Sequence, residues 1–111
     1  MATSKKELFT GEQQQYSGLF KALSHPARLA ILEYLADVKT CITGDISEVL
    51  PLGRTTVNQH LAELKSVGLI RGTIEGVKTY YCLSPSGVEK LKQAIQNFID
   101  KICIPENYCN L

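Results

Sequence analysis

Apolar residues recur at helical spacing in five stretches of this chain and crowd two short β-prone runs between the fourth and fifth. Leu8, Phe9, Tyr16, Leu19, Phe20 and Leu23 form the first stripe, interrupted by Gly11, so an ordered helix is expected from about Glu12. Ser24 stands where an N-cap would precede Pro26. Leu29, Ile31, Leu32 and Leu35 then give a second helix its buried side as far as Ala36 or Asp37. A third, shorter helix is expected from about Thr43 to Leu50, on Ile46, Val49 and Leu50, because Pro51 forbids continuation. Val57, Leu61 and Leu64 recur at i, i+4 and i+7 and anchor a fourth helix from Arg54 to Val67, stopped by Gly68.

Leu69 to Ile74 and Lys78 to Leu83 are rich in Thr, Ile, Val and Tyr and flank Glu75-Gly76-Val77, which predicts a β-hairpin. Ser84-Pro85-Ser86 opens a last helix to about Ile102, with Val88, Leu91, Ile95, Phe98, Ile99 and Ile102 on one side. That stripe is wider than a small domain needs for its own core. The order ααααββα is mostly α with a small β-hairpin (α+β). Two short helices joined by Pro51-Leu52-Gly53 and followed by a hairpin make a winged helix-turn-helix.

The fourth helix carries its polar residues at its start. Arg54, Asn58 and Gln59 could reach base edges of DNA, and Thr55 and Thr56 suit phosphates. Lys65, Arg71 and Lys78 add positive charge on this helix and the wing, where they could meet the DNA backbone. His60 belongs with the DNA set unless it turns inward to satisfy a group of the protein. For an isolated amphipathic helix the same residues would be a solvated face; the preceding short helix, the tight turn and the hairpin favour DNA contact.

Composition bounds this picture without changing it. At 111 residues and 44% hydrophobic, residues 1–111 are expected to form a single domain, with flexible tails at 1–7 and 104–111. Twelve Lys and Arg against eleven Asp and Glu leave a net charge of +1, so bulk charge does not announce a nucleic-acid binder. Its distribution does: residues 25–53 carry −2 and residues 54–78 carry +2. No run approaches a membrane span and no signal peptide opens the chain, so a cytoplasmic protein without a membrane partner is expected. Cys41, Cys82, Cys103 and Cys109 show no CxxC pair, and a reducing compartment disfavours structural disulfides.

The chain resembles the ArsR/SmtB family of winged-helix repressors over roughly residues 16–100. The resemblance rests on Phe20-Lys21-Ala22-Leu23-Ser24-His25-Pro26-Ala27-Arg28-Leu29-Ala30-Ile31-Leu32, on Thr55-Thr56-Val57-Asn58-Gln59-His60-Leu61 with Leu64, on Gly68-Leu69-Ile70, and on a wing ending in Tyr80-Tyr81. It implies a homodimer paired through the first and last helices. It also implies a partly palindromic double-stranded DNA operator, one reading helix per half-site, and an inducer that releases the repressor.

Metal-responsive members of that family carry a Cys-x-Cys pair where this chain has Cys41-Ile42-Thr43, so the second thiol is missing. A zinc site of Asp and His on the last helix is excluded because the only histidines are His25 and His60. Cys103 and Cys109, joined by Cys41 of either subunit, remain as a candidate site for a thiophilic metal or metalloid ion. A Cys103–Cys109 redox pair and plain packing stay open beside it, with Cys82 read as a packing residue. No cofactor is otherwise implied. Enzyme motifs are absent, and a winged-helix protein-interaction module would more often present aromatic and apolar groups than these polar ones.

Overall fold

A computed structural model describes residues 8–43, 46, 49–75 and 78–108, with the backbone alone of 74, 75, 78 and 79. Its elements are α1 (Gly11–Ala22), α2 (Pro26–Val38), β1 (Ile42–Thr43), α3 (Arg54–Ser66), β2 (Ile70–Glu75), β3 (Lys78–Leu83) and α4 (Pro85–Ile102). The strands form one antiparallel sheet in the order β1-β3-β2.

Local chemistry sets the helix starts. Thr10 caps α1 through a reciprocal pair: its Oγ1 accepts from the Gln13 amide at 3.0 Å, and Gln13 Oε1 accepts from the Thr10 amide at 2.9 Å. Gly11 therefore opens this helix rather than interrupting it. His25, not Ser24, caps α2, its Nδ1 accepting the Ala27 amide at 3.0 Å, while the Ser24 hydroxyl turns back to the Lys21 carbonyl. The helix runs to Val38 and ends on Lys39 in the left-handed conformation, φ 56°.

Among the described residues no helix element stands where the third of the order ααααββα was expected, from Thr43 to Leu50. Thr43 lies in β1, because Ile42 and Thr43 extend the sheet opposite Tyr81 and Tyr80. Residues 44, 45, 47 and 48 lie outside the described residues, while the Ile46 carbonyl accepts the amides of Val49 and Leu50.

Ile31 and Leu35 of α2, Ile46, Val57, Leu61 and Leu64 of α3, Leu69, and Ile70 and Tyr81 of the sheet form one buried cluster. Each large side chain buried there contributes about 1.5–3 kcal/mol. Helix α3 leaves this core through a tight end. The Leu69 amide bonds the Leu64 carbonyl at 3.0 Å and the Gly68 amide bonds the Lys65 carbonyl at 2.9 Å, with Gly68 at φ 81°. Leu64 and Leu69 pack in the same cluster beneath that turn.

The start of α4 sits directly on the same turn. The Ser84 amide donates to the Leu69 carbonyl, and Gly87 lies so close that a Cβ there would stand 1.8 Å from the Gly68 carbonyl oxygen. Gly87→Ala is therefore expected to lower unfolding stability by roughly 1–3 kcal/mol. Gly11→Ala, whose Cβ would meet nothing within 4 Å, should be neutral or stabilising. Urea unfolding of the two variants checks the contrast; equal midpoints would contradict it.

Candidate nucleic-acid interface

The helix α3 begins differently from its neighbours. Side chains of Thr10, His25 and Ser84 cap α1, α2 and α4, whereas Gly53 precedes α3 and supplies no side-chain cap. No acidic residue lies in its first turn. Amide donors and the positive end of the helix dipole are thus left open to an anion. Arg54, Thr55, Thr56 and Gln59 are exposed around that end and Asn58 is half-buried beside them, while Val57, Leu61 and Leu64 face the core. Arg54 and Asn58 form one i,i+4 row and Thr55 and Gln59 the next, so the expected base-reading and phosphate-binding residues share one surface.

Three other members of the expected set stand apart from that surface. His60 is 7% exposed and turns inward, where its Nδ1 accepts a hydrogen bond from Arg28 Nε at 3.1 Å. Its ring lies 4.4 Å, centroid to centroid, from that of His25, tilted by 48°. It braces α3 against the start of α2, inward of the exposed surface at the start of α3. Lys65 donates to the Gly72 carbonyl at 2.6 Å, tying the end of α3 to β2 about 16 Å along the helix axis from Arg54. Arg71 hydrogen-bonds Cys82 across the sheet, which raises its pKa. Lys78 pairs by backbone with Glu75 beside the hairpin turn; its side chain lies outside the described residues.

The residues proposed for a soft ion are only partly described. Cys103 is exposed at the end of α4, Cys41 lies beside the sheet, and Cys109 is outside the described residues. Among the described residues no three His, Cys, Asp or Glu side chains converge as ligands. Sequence reasoning missed two partners. Arg28 meets His60 from 32 residues away, and Cys82 meets Arg71 only across the sheet.

A polar-fronted helix, a turn before it and an antiparallel hairpin behind it define a winged helix-turn-helix DNA-binding protein. A helix-turn-helix domain family model matches residues 23–73. The transcriptional repressor PagR of Bacillus anthracis is 35% identical over 81 residues, covering 70% of this chain and 81% of its own. The regulator CmtR of Mycobacterium tuberculosis is 33% identical over 93 residues, 79% of this chain and 78% of its own. The solution structure of the homodimeric winged helix-turn-helix domain of Mb0332 from Mycobacterium bovis, a possible ArsR-family regulator, is similar with a TM-score of 0.58 at 25% identity, covering 100% of this chain and 98% of that one. The chain belongs to the ArsR/SmtB family and is a DNA-binding transcriptional regulator.

The inward histidine makes stability depend on pH. Burial first, then the charges of His25 and Arg28, hold the His60 pKa below its ordinary 6.5. In the window from 6.5 down to that lower value the unfolded chain binds the proton and the folded chain resists it. Stability is expected to fall with pH through this window, by at most about 1.4 kcal/mol per unit, and to level off below it. Denaturant midpoints across this range, compared with His60→Gln, check the sign; an unchanged slope in the variant would remove His60 as the cause.

Proposed function

We propose that Arg54, Asn58 and Gln59 read base edges in the major groove of a double-stranded operator, while Thr55, Thr56 and the uncapped amides of α3 hold phosphates. Lys78, beside the hairpin turn, meets the backbone from the wing. The observation that carries this reading is the open start of α3, with its first-turn side chains turned away from a core that Val57 and Leu61 hold rigid. The set is narrower than sequence alone suggested, because His60 turns inward and Lys65 and Arg71 lie at the far end of α3 and on β2, away from that start.

The working unit is a homodimer paired through α1 and α4. Val88, Ile95, Phe98, Ile99 and Ile102 are each at least 39% exposed, although they line one side of α4. A groove between the two helices is lined by Tyr16, Phe20, Phe98 and Ile102, with Phe20 and Phe98 in edge contact at 5.7 Å. Lys101 pairs with Glu12, and Asn97 Nδ2 donates to the Tyr16 hydroxyl at 3.3 Å, fixing α4 against α1. The radius of gyration is 17.3 Å. A compact chain of this length has about 13 Å, so this chain is more extended than a compact domain. A second copy covering the apolar stripe resolves both observations, and the homodimeric relative has the same fold.

In this reading the protein is a cytoplasmic repressor whose operator hold is lowered by an inducer that prefers the DNA-free dimer. No helix among the described residues is long and apolar enough to cross a membrane.

Asn58→Ala is expected to lose about 1–3 kcal/mol of discrimination between operator and altered half-sites, while Thr55→Ala weakens binding to all sequences alike. Competition gel shifts measure both, and full sequence preference in Asn58→Ala would remove its assignment. Phe98→Glu/Ile99→Glu should give a monomer by sedimentation with much weaker operator binding. A dimer of unchanged affinity would place the interface elsewhere.

A further inference from the structure

The strand that sequence alone did not predict brings two cysteines together. In the β1–β3 pairing Ile42 opposes Tyr81 and Thr43 opposes Tyr80, so the same register carried one residue further sets Cys41 opposite Cys82. On the other side of the central strand, Arg71 is the direct partner of Cys82. Cys82 therefore lies between a thiol and a guanidinium. The two thiols share a hydrogen bond, Arg71 donates a second to Cys82, and Tyr80, two residues along the same face, hydrogen-bonds Cys41.

The pair lines a cavity of about 250 Å³ together with Leu35, Lys39, Thr40 and Arg71. Both thiols are half-buried, within reach of a small solute. Directly opposed residues of an antiparallel ladder have Cα atoms about 4.5–5.5 Å apart, inside the window of about 4.4–6.8 Å that a disulfide spans. The hydrogen bonds from Cys41 and Arg71, helped by the Arg71 charge and opposed by desolvation, lower the Cys82 pKa from its ordinary value. That favours the thiolate, the nucleophilic form.

We propose that Cys41 and Cys82 form an oxidation site for small hydroperoxides, closing to an intramolecular disulfide that ties β1 to β3 and changes operator affinity. Only the last effect rests on the DNA reading above. The Cys82 thiolate attacks a peroxide oxygen; the O–O bond breaks, the departing oxygen takes a proton and leaves as water or alcohol, and Cys82 becomes a sulfenic acid. The Cys41 sulfur then displaces that hydroxyl. An S–S bond forms, the S–O bond breaks, and the Cys41 proton leaves with the hydroxyl as a second water. Two thiols are oxidised by two electrons and the peroxide is reduced by two. The new bond would enclose α3 and the hairpin in one covalent loop, so the reading helix and wing lie between its ends.

The test uses the full chain with Cys103→Ser/Cys109→Ser, leaving only the two thiols in question. Reduced protein should alkylate at both. After hydrogen peroxide neither should react, non-reducing peptide mapping should join Cys41 to Cys82 within one chain, and dithiothreitol should restore both. In the same background Cys41→Ser should leave a sulfenic acid on Cys82 that dimedone traps, and Cys82→Ser should slow oxidation of Cys41 roughly tenfold. Persisting thiols, a bridge between chains, or equal reactivity in Cys82→Ser would overturn the site. So would retention of arsenite by the reduced pair with no disulfide after peroxide. Operator affinity of the oxidised protein should differ from that of the reduced protein at least about fivefold, and parity would overturn the regulatory effect. Reduced protein that binds no DNA would instead remove the DNA reading and leave the mapped disulfide standing.

Discussion

Everything that positions the reading helix depends on the turn at Gly68. The Leu64–Leu69 and Lys65–Gly68 hydrogen bonds close the end of α3. The left-handed glycine reverses the chain at once into β2. The next two carbonyls then receive α4, Leu69 accepting the Ser84 amide and Gly68 lying against Gly87. Helix, wing and α4 thus meet at one backbone crossing. A small rotation there would be felt at both the exposed start of α3 and the apolar stripe of α4, which is how a change at one could be transmitted to the other.

Around that crossing the chain divides its polar work by depth. The polar side chains at the start of α3 are mostly exposed, while those close to the core turn to groups within the chain. His60 is the boundary case: it lies one residue beyond Gln59 on the same helix, yet its ring is held by Arg28 and packed on His25. Lys65 and Arg71 are exposed but committed, one to the Gly72 carbonyl and the other to Cys82. Charge alone therefore does not mark a DNA-binding residue here; its place on the helix and sheet decides.

Much of this was legible from spacing. Val57, Leu61 and Leu64 at helical intervals, Pro26 in a first turn and Gly68 at a helix end each act locally, so short-range pattern located α2, α3, the hairpin and α4 to within a few residues. The missed features are those that need a partner distant in sequence. β1 is two residues long and has no alternation to detect; it exists because β3 offers an edge. Without it Cys41 groups with the C-terminal thiols and Cys82 reads as a packing residue. Capping by His25 was hidden for a simpler reason, since serine is the commoner cap and both residues precede Pro26. The inward turn of His60 could be weighed but not settled, because Arg28 lies 32 residues earlier.

The bare start of α3 has a thermodynamic consequence. A serine or aspartate at position 53 would steady the isolated helix by roughly a few tenths of a kilocalorie per mole over glycine, and this chain forgoes it. In the proposed complex the operator's phosphates take the place of that missing oxygen, so part of the secondary structure is finished by the nucleic acid itself. The first turn of α3 would be the least settled part of that helix in the unbound protein, and the operator would act as its final structural component.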